Sequence, residues 1–221
     1  MKYVIFIIAL MLVSACSSTP DKAESKDWIA SQSGFLSDYS KLKKVDVNDG
    51  SDLMRYISEQ VKGGKYAKVM FDPVSYYPAP KKTSNITKQV LSDISSYFNN
   101  TFAKTALANV EVVNRPGPDT LRIKMAITSV NVEDSSLAVY QYIPIAFVIT
   151  AASGGLSEMN VKFRMEAEVV DSLTGEVLAA AVKTGEGETL DNDKEMVTLA
   201  HLKPLIDSWA VTMQETMTKS L

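Results

Sequence analysis

Glu158-Met159-Asn160-Val161-Lys162-Phe163-Arg164-Met165-Glu166-Ala167-Glu168-Val169-Val170 alternates apolar and charged residues from Val161 to Val169. Successive β side chains leave opposite faces of a sheet. Val161, Phe163, Met165, Ala167 and Val169 therefore share one face, and Lys162, Arg164, Glu166 and Glu168 the other. That pattern predicts an antiparallel strand with one dry face and one wet face. Asp171-Ser172-Leu173-Thr174-Gly175 turns the chain, with Gly175 free to take a positive φ. Glu176 to Thr184 returns, and its Ala179-Ala180-Ala181 run leaves room for a close neighbour. Gly185-Glu186-Gly187-Glu188 reads as a loop.

Working outward, Thr120 to Val132 is a second long strand, and it changes phase. Leu121, Ile123, Met125 and Ile127 are odd-numbered, whereas Val130 and Val132 are even. A period of two cannot absorb that jump without a bulge or break near Thr128-Ser129. Arg122 and Lys124 invite opposite charges across the strand pair, which predicts Arg122 opposite Glu168 and Lys124 opposite Glu166. Asn109 to Val113 is a shorter strand, set off by Asn114-Arg115-Pro116-Gly117-Pro118, which no ladder tolerates. Lys68 to Val74 is another, with Pro73 marking an edge or an end, and Leu53 to Ile57 a further short one. Gly34 to Tyr39 is an aromatic segment pinned to the core.

Two helices complete the pattern. Ile86, Val90, Ile94, Phe98 and Phe102 recur every fourth residue within Ser84–Leu107, with Thr83 or Ser84 as cap. Lys88, Asp93, Ser95, Ser96, Asn99 and Lys104 take the wet side. Asn192 with Glu195 resembles a capping pair ahead of a C-terminal helix carrying Met196, Leu199, Leu202, Ile206, Trp209 and Met213. Pro204 should kink or restart it. The expected class is α+β, a mainly antiparallel sheet packed on these two helices.

The amino end is an address. Lys2 supplies a positive n-region, Tyr3 to Val13 an apolar run too short to span a bilayer, and Ser14-Ala15 a small-residue cleavage site. Cys16, the only cysteine, follows directly. The stretch Val13-Ser14-Ala15-Cys16 resembles the bacterial lipobox, which implies cleavage before Cys16 and its acylation. Ser17 in place of Asp implies the outer membrane. Residues 1–15 are then a lipoprotein signal peptide, 16–33 a lipidated cysteine and polar tether, and 34–221 a single periplasmic domain. From Ser17 to Asp27 the tether reaches about 36 Å at ~3.3 Å per residue. Trp28-Ile29 reads as first contact with the fold or as an interfacial anchor.

Charge and chemistry narrow the function. The formal net charge is −3, and removing the signal takes away Lys2 and no acidic residue. A mildly acidic chain without a basic tract is a poor nucleic-acid binder. His201 is the sole histidine, beside Leu199 and Leu202, and reads as a half-buried structural imidazole. With Cys16 acylated, a zinc site of the usual ligands has no donors to use. Phosphate-binding and nucleotide-binding loops are missing from the sequence, as is a nucleophile elbow. Glu166 and Glu168 form a carboxylate pair of the kind that hydrolyses glycosides, although charges on a wet strand are commonplace. The expectation is a non-enzyme without cofactor or metal.

Two stretches suggest contacts. Tyr76 and Tyr77, ahead of Pro78-Ala79-Pro80, make either a docking loop or a clasp over the core. Leu137 to Ala152 is the most apolar segment after the signal, read as a buried strand with its loop or as an exposed lip. Tyr140, Tyr142 and Ile145 are its candidate contact residues. Gly34-Phe35-Leu36 with Tyr39, Phe71-Asp72-Pro73-Val74, Tyr142-Ile143-Pro144, Glu166 to Asp171 running into Thr174 to Leu178, and Trp209-Ala210 resemble a bacterial lipoprotein family. It is known as domain of unknown function 3313. The resemblance implies no activity and no catalytic residues. The expected role is a non-catalytic interaction or assembly module, tethered to the outer membrane by acyl chains on Cys16, facing the periplasm and meeting an envelope protein. The alternative is a binder of a small apolar or lipidic ligand in a cleft near Tyr140–Ile149.

Overall fold

The long alternating strand lies in the middle of a sheet. A computed structural model describes residues 32–80, 87–106, 110–134, 159–192 and 195–220. Its strands are β1 (Lys43–Val45), β2 (Asp52–Ile57), β3 (Lys68–Phe71), β4 (Ser75–Tyr76), β5 (Glu111–Val112), β6 (Thr120–Asp134), β7 (Met159–Asp171) and β8 (Val177–Glu186). The helices are α1 (Lys88–Thr101) and α2 (Leu199–Ser220). The sheet order is β1-β2-β8-β7-β6-β3-β5, with β4 also beside β6. Pairs from β1 to β6 along that order are antiparallel, whereas β3 pairs parallel with both β6 and β5. The fold is α+β as expected, with a parallel end to its sheet.

The hairpin turn is held by Asp171, whose Oδ1 accepts from the N–H groups of Leu173 and Thr174. Gly175 sits there at φ 74°. In β6 the phase jump falls where the sequence puts it: Ile127 pairs Met165, Ser129 pairs Arg164, and Thr128 is left over. That bulge returns Val130 and Val132 to the dry face. The expected charge register is corrected by two residues. Lys124 stands opposite Glu168 and Arg122 opposite Val170. Arg122 instead forks onto Asp72, with Nε 3.0 Å from both carboxylate oxygens. A shift of two residues leaves the same side chains on the dry face, and in the observed register Lys124 keeps a carboxylate opposite it while Arg122 finds one in Asp72.

Pro73 marks a strand end, not an edge. Between β3 and β4, Asp72-Pro73-Val74 steps off β6 and the ladder resumes at Ser75. The Val74 N–H donates to Asn99 Oδ1 at 2.8 Å. Asn99 is therefore a tie between helix and sheet, and not simply a wet-face residue. The N-terminal cap is also corrected. Thr87, with extended backbone, accepts from the Val90 N–H, so α1 begins after it; the expected caps Thr83 and Ser84 lie outside the described residues. Ile94, Phe98 and Phe102 are buried, and α1 widens into a π turn over Phe102–Ala106. At α2, Asn192 and Glu195 form a separate turn; the helix starts at Leu199 and continues through Pro204. Thr198 and His201 replace the expected pair, because His201 Nδ1 accepts from the Thr198 N–H at 3.0 Å, the reciprocal half of a capping box.

Both helices cover the dry face of β6 and β7. The wet face of β7 is the main correction. Lys162, Arg164, Glu166 and Glu168 are only 8, 4, 0 and 6 % exposed. A strap of residues 33–42 crosses that side and adds a second small core, Leu36 and Leu42 with Ala180 and Val182. Polar groups of the strap meet the buried carboxylates. The Tyr39 hydroxyl donates to Glu166 Oε2 at 2.5 Å, and the Ser37 N–H and hydroxyl donate to Glu168 Oε1. Burial, then the Glu166 bond, pushes the Tyr39 hydroxyl above its ordinary pKa. Arg164 Nη2 lies 3.4 Å from Glu166 Oε1 and Lys124 Nζ 3.6 Å from Glu168 Oε2. Glu166 and Glu168 thus hold the strap and are not a carboxylate pair facing solvent.

Candidate functional site: an apolar cleft under the C-terminal helix

The dry face carries more than a core. Along β8 the odd-numbered residues turn toward α2, and they are small: Ala179, Ala181, then Gly185, where an added Cβ would meet Leu205 and Trp209. At Gly185 the helix sits close. Further along, the alanines cannot fill the space beneath it. Ala167 and Val169 of β7 continue this shallow floor. The result is a cleft of about 180 Å³ between the sheet and the later turns of α2. Trp209, Met213 and Met217 form its roof, and Leu121, Ile123 and Met125 of β6 extend the floor toward Phe102. An engineered apolar cavity of roughly 150 Å³ holds a benzene molecule, so the space is sufficient for a small hydrocarbon group. Methionine suits such a roof because its unbranched thioether repacks readily.

Arg55, Glu166, Lys183, Thr212 and Thr216 also line the cleft, almost entirely through their apolar atoms. Lys183 is already engaged, with Nζ 2.5 Å from Asp49 Oδ2 and 5.2 Å from the Trp209 ring centroid. Burial lowers its pKa, against the pull of Asp49. The Trp209 Nε1–H donates to Ser51 Oγ at 2.8 Å, which orients the indole. The hydroxyl of Thr212 donates to the Ser208 carbonyl and that of Thr216 to the Thr212 carbonyl. Arg55 stands on β2 opposite Ala181.

Of the contact residues expected from the sequence, Tyr76 and Tyr77 are described, and neither is among the described residues that line this cleft. Tyr76 is a clasp: its hydroxyl donates to the Leu91 carbonyl at 2.7 Å, and burial raises its pKa. Tyr77 is 40 % exposed and packs edge-on against Phe35 of the strap. Cys16, Tyr140, Tyr142 and Ile145, with the cleft expected near Tyr140–Ile149, lie outside the described residues. His201 is half-buried and structural, its Nε2 3.4 Å from Glu195 Oε1. The only sequence signal for the observed cleft is the alanine run, whose small side chains lie beneath Trp209, Met213 and Met217.

Comparison with known proteins agrees with the lipoprotein resemblance. The family described as "Protein of unknown function (DUF3313)" matches residues 31–213. A protein of Escherichia coli (strain K12), described as uncharacterized lipoprotein YdcL, is 29% identical over 209 residues, 92% of this chain and 90% of its own length. Among solved structures, the PelC dodecamer from Paraburkholderia phytofirmans is similar at 11% identity and a TM-score of 0.39, over 76% of this chain and 96% of its own. Lipoprotein GNA1162 from Neisseria meningitidis follows at 13% and 0.31, over 70% and 99%.

Proposed function

The chain belongs to the DUF3313 family of proteins of unknown function, and from that premise we propose that it is a bacterial envelope lipoprotein and a non-catalytic binding module. Acyl chains on Cys16 hold it to the outer membrane, and its domain works on the periplasmic side. The order of Lys2, the apolar run Tyr3–Val13, Ser14-Ala15 and Cys16 supports the anchor, and the relative described as a lipoprotein supports it further. Multiple acyl chains give lasting attachment where a single chain gives only reversible binding. Replacing Cys16 by Ser is expected to move the processed protein from the membrane pellet to the soluble fraction, or to stall it as precursor. A fully processed Cys16→Ser protein that still pellets with membranes refutes the anchor.

Within that module, the cleft under α2 favours a small apolar ligand over docking through the tyrosine loop. It is a contiguous space walled almost entirely by apolar atoms, and small-molecule pockets are lined predominantly by such groups. The assembly reading needs an exposed apolar patch or a free sheet edge, and an envelope partner would be found by cross-linking and capture. The ligand reading predicts that the full chain purified from membranes carries an extractable apolar molecule that Ala181→Leu excludes. Equal content in both proteins, each correctly folded, sinks it.

A further inference from the structure

Among the described residues, two buried side-chain oxygens meet no hydrogen-bonding partner in the protein, Thr128 Oγ1 and Glu166 Oε1. They belong to neighbouring positions. Ala126 stands opposite Glu166 and Ser129 opposite Arg164, so Thr128, the residue left over in the β6 bulge, is a diagonal neighbour of Glu166. Two residues beyond Ala126, its side chain shares the strap side of the sheet with that carboxylate. Thr128 and Glu166 are only 6 and 0 % exposed. Arg164 Nη2, 3.4 Å from Glu166 Oε1, supplies the opposite charge without the alignment of a hydrogen bond. Protein interiors satisfy nearly all such atoms, with protein groups or with ordered water. Diagonal neighbours across a strand pair stand roughly 7–8 Å apart, somewhat less at Cβ, a span that two short polar side chains close through one bridging molecule.

We propose that the β6 bulge is a binding site for one internal water molecule, which donates to Glu166 Oε1 and bonds to Thr128 Oγ1. The chemistry of the two oxygens selects it. A carboxylate only accepts, so the bridging group must donate, and a hydroxyl can do either. Arg164 already balances the carboxylate, which disfavours a cation, and the enclosure leaves water as the donor that fits. The water also acts at a distance. With Oε1 held, Glu166 presents Oε2 to the Tyr39 hydroxyl, which in turn accepts from the N–H groups of Gly34 and Leu36. A polar relay therefore runs from the bulge through water, carboxylate and phenol to the backbone of the strap. Thr128 is a positioning residue for the strap, although it touches none of it through this relay.

High-resolution diffraction from the full chain should show an ordered oxygen about 2.8 Å from both Thr128 Oγ1 and Glu166 Oε1. A direct hydrogen bond between those two atoms, or clear density for both with no solvent between them, overturns the site. Amide hydrogen exchange on the full chain tests the relay. Thr128→Val keeps the shape of the side chain and removes its hydroxyl, whereas Thr128→Ser keeps the hydroxyl. The valine variant should exchange about tenfold faster at the amides of Gly34 and Leu36, the factor that one hydrogen bond is worth. The serine variant should keep the parent's rates there. A folded valine variant with the parent's rates at both amides overturns the relay. Acceleration of the same size at Ile123 and Leu178, in the main core, overturns it as well, because the loss is then general and not confined to the strap. A serine variant as fast as the valine variant shows that the hydroxyl holds no water that matters to the strap, and the proposal falls.

Discussion

Gly187 shows how a single missing side chain fixes the junction between sheet and helix. Its N–H donates to the Val161 carbonyl, and the next residue, Glu188, donates to the carbonyl of His201. A Cβ at 187 would fall far inside contact distance of that same His201 carbonyl oxygen, which is backbone and cannot swing aside. Gly187→Ala should cost about 2 kcal/mol, as overpacking does, and lower the melting temperature by ~4–8 °C. Gly185→Ala meets only side-chain atoms of Leu205, Ser51 and Trp209 and should cost less; equal losses would refute the backbone argument. Asp171 is a second decisive residue. The Thr174 N–H, then Lys65 and Tyr66, hold its carboxyl well below the usual carboxylate range. A depressed folded pKa gives stability that is present above the unfolded value of about 3.9 and lost as pH falls toward the folded value. Asp171→Asn should therefore cost roughly 2 kcal/mol at pH 7, and the gap to the parent should close as the pH drops below about 4. Urea midpoints from pH 7 to 2.5 read this directly; a gap independent of pH would refute the charge argument.

Ile94 on α1 is fully buried against the sheet, so Ile94→Asp should cost ~4 kcal/mol or more, or prevent accumulation of the protein. Asn99→Asp keeps an oxygen for the Val74 N–H and should be mild. Similar denaturation midpoints for the two variants would refute the assigned helix face. At this scale much of the fold was legible. The phase jump at Thr128-Ser129, the Asp171–Gly175 turn and the α1 stripe are local in sequence, and period two or 3.6 reports them. Alternation says which residues of β7 share a face, but not what lies over that face. Tyr39 and Glu166 are 127 residues apart, and no window along the chain contains both. The boundaries of the helices misled for a related reason: several residues near each start can cap, and tertiary packing chose Thr87 and Thr198. Of the cleft, only the alanine run was visible. Its roof is set by where α2 crosses the sheet, a long-range result.

The molecule as a whole is asymmetric about its sheet. Two helices and the larger core lie on one side, while a strap of residues 33–42 closes the other. Tyr39→Phe removes the hydroxyl that serves Glu166, Gly34 and Leu36 and should destabilise the protein by about 3 kcal/mol, since a buried carboxylate loses a partner. The strap is also the first described segment after the proposed membrane tether, and that position has a mechanical meaning. Tension arriving from the amino end reaches Tyr39 and Ser37 before it reaches β1, and these residues are fastened to β7 in the middle of the sheet. The strand β1, which among the described residues pairs with β2 alone, is thereby spared from being unzipped. In a single-molecule pulling experiment from the amino end, Tyr39→Phe should lower the force of the first rupture and leave later ruptures unchanged. The buried carboxylates of β7 would then act as a strain relief, taking the tug of a moving membrane on the strongest part of the sheet.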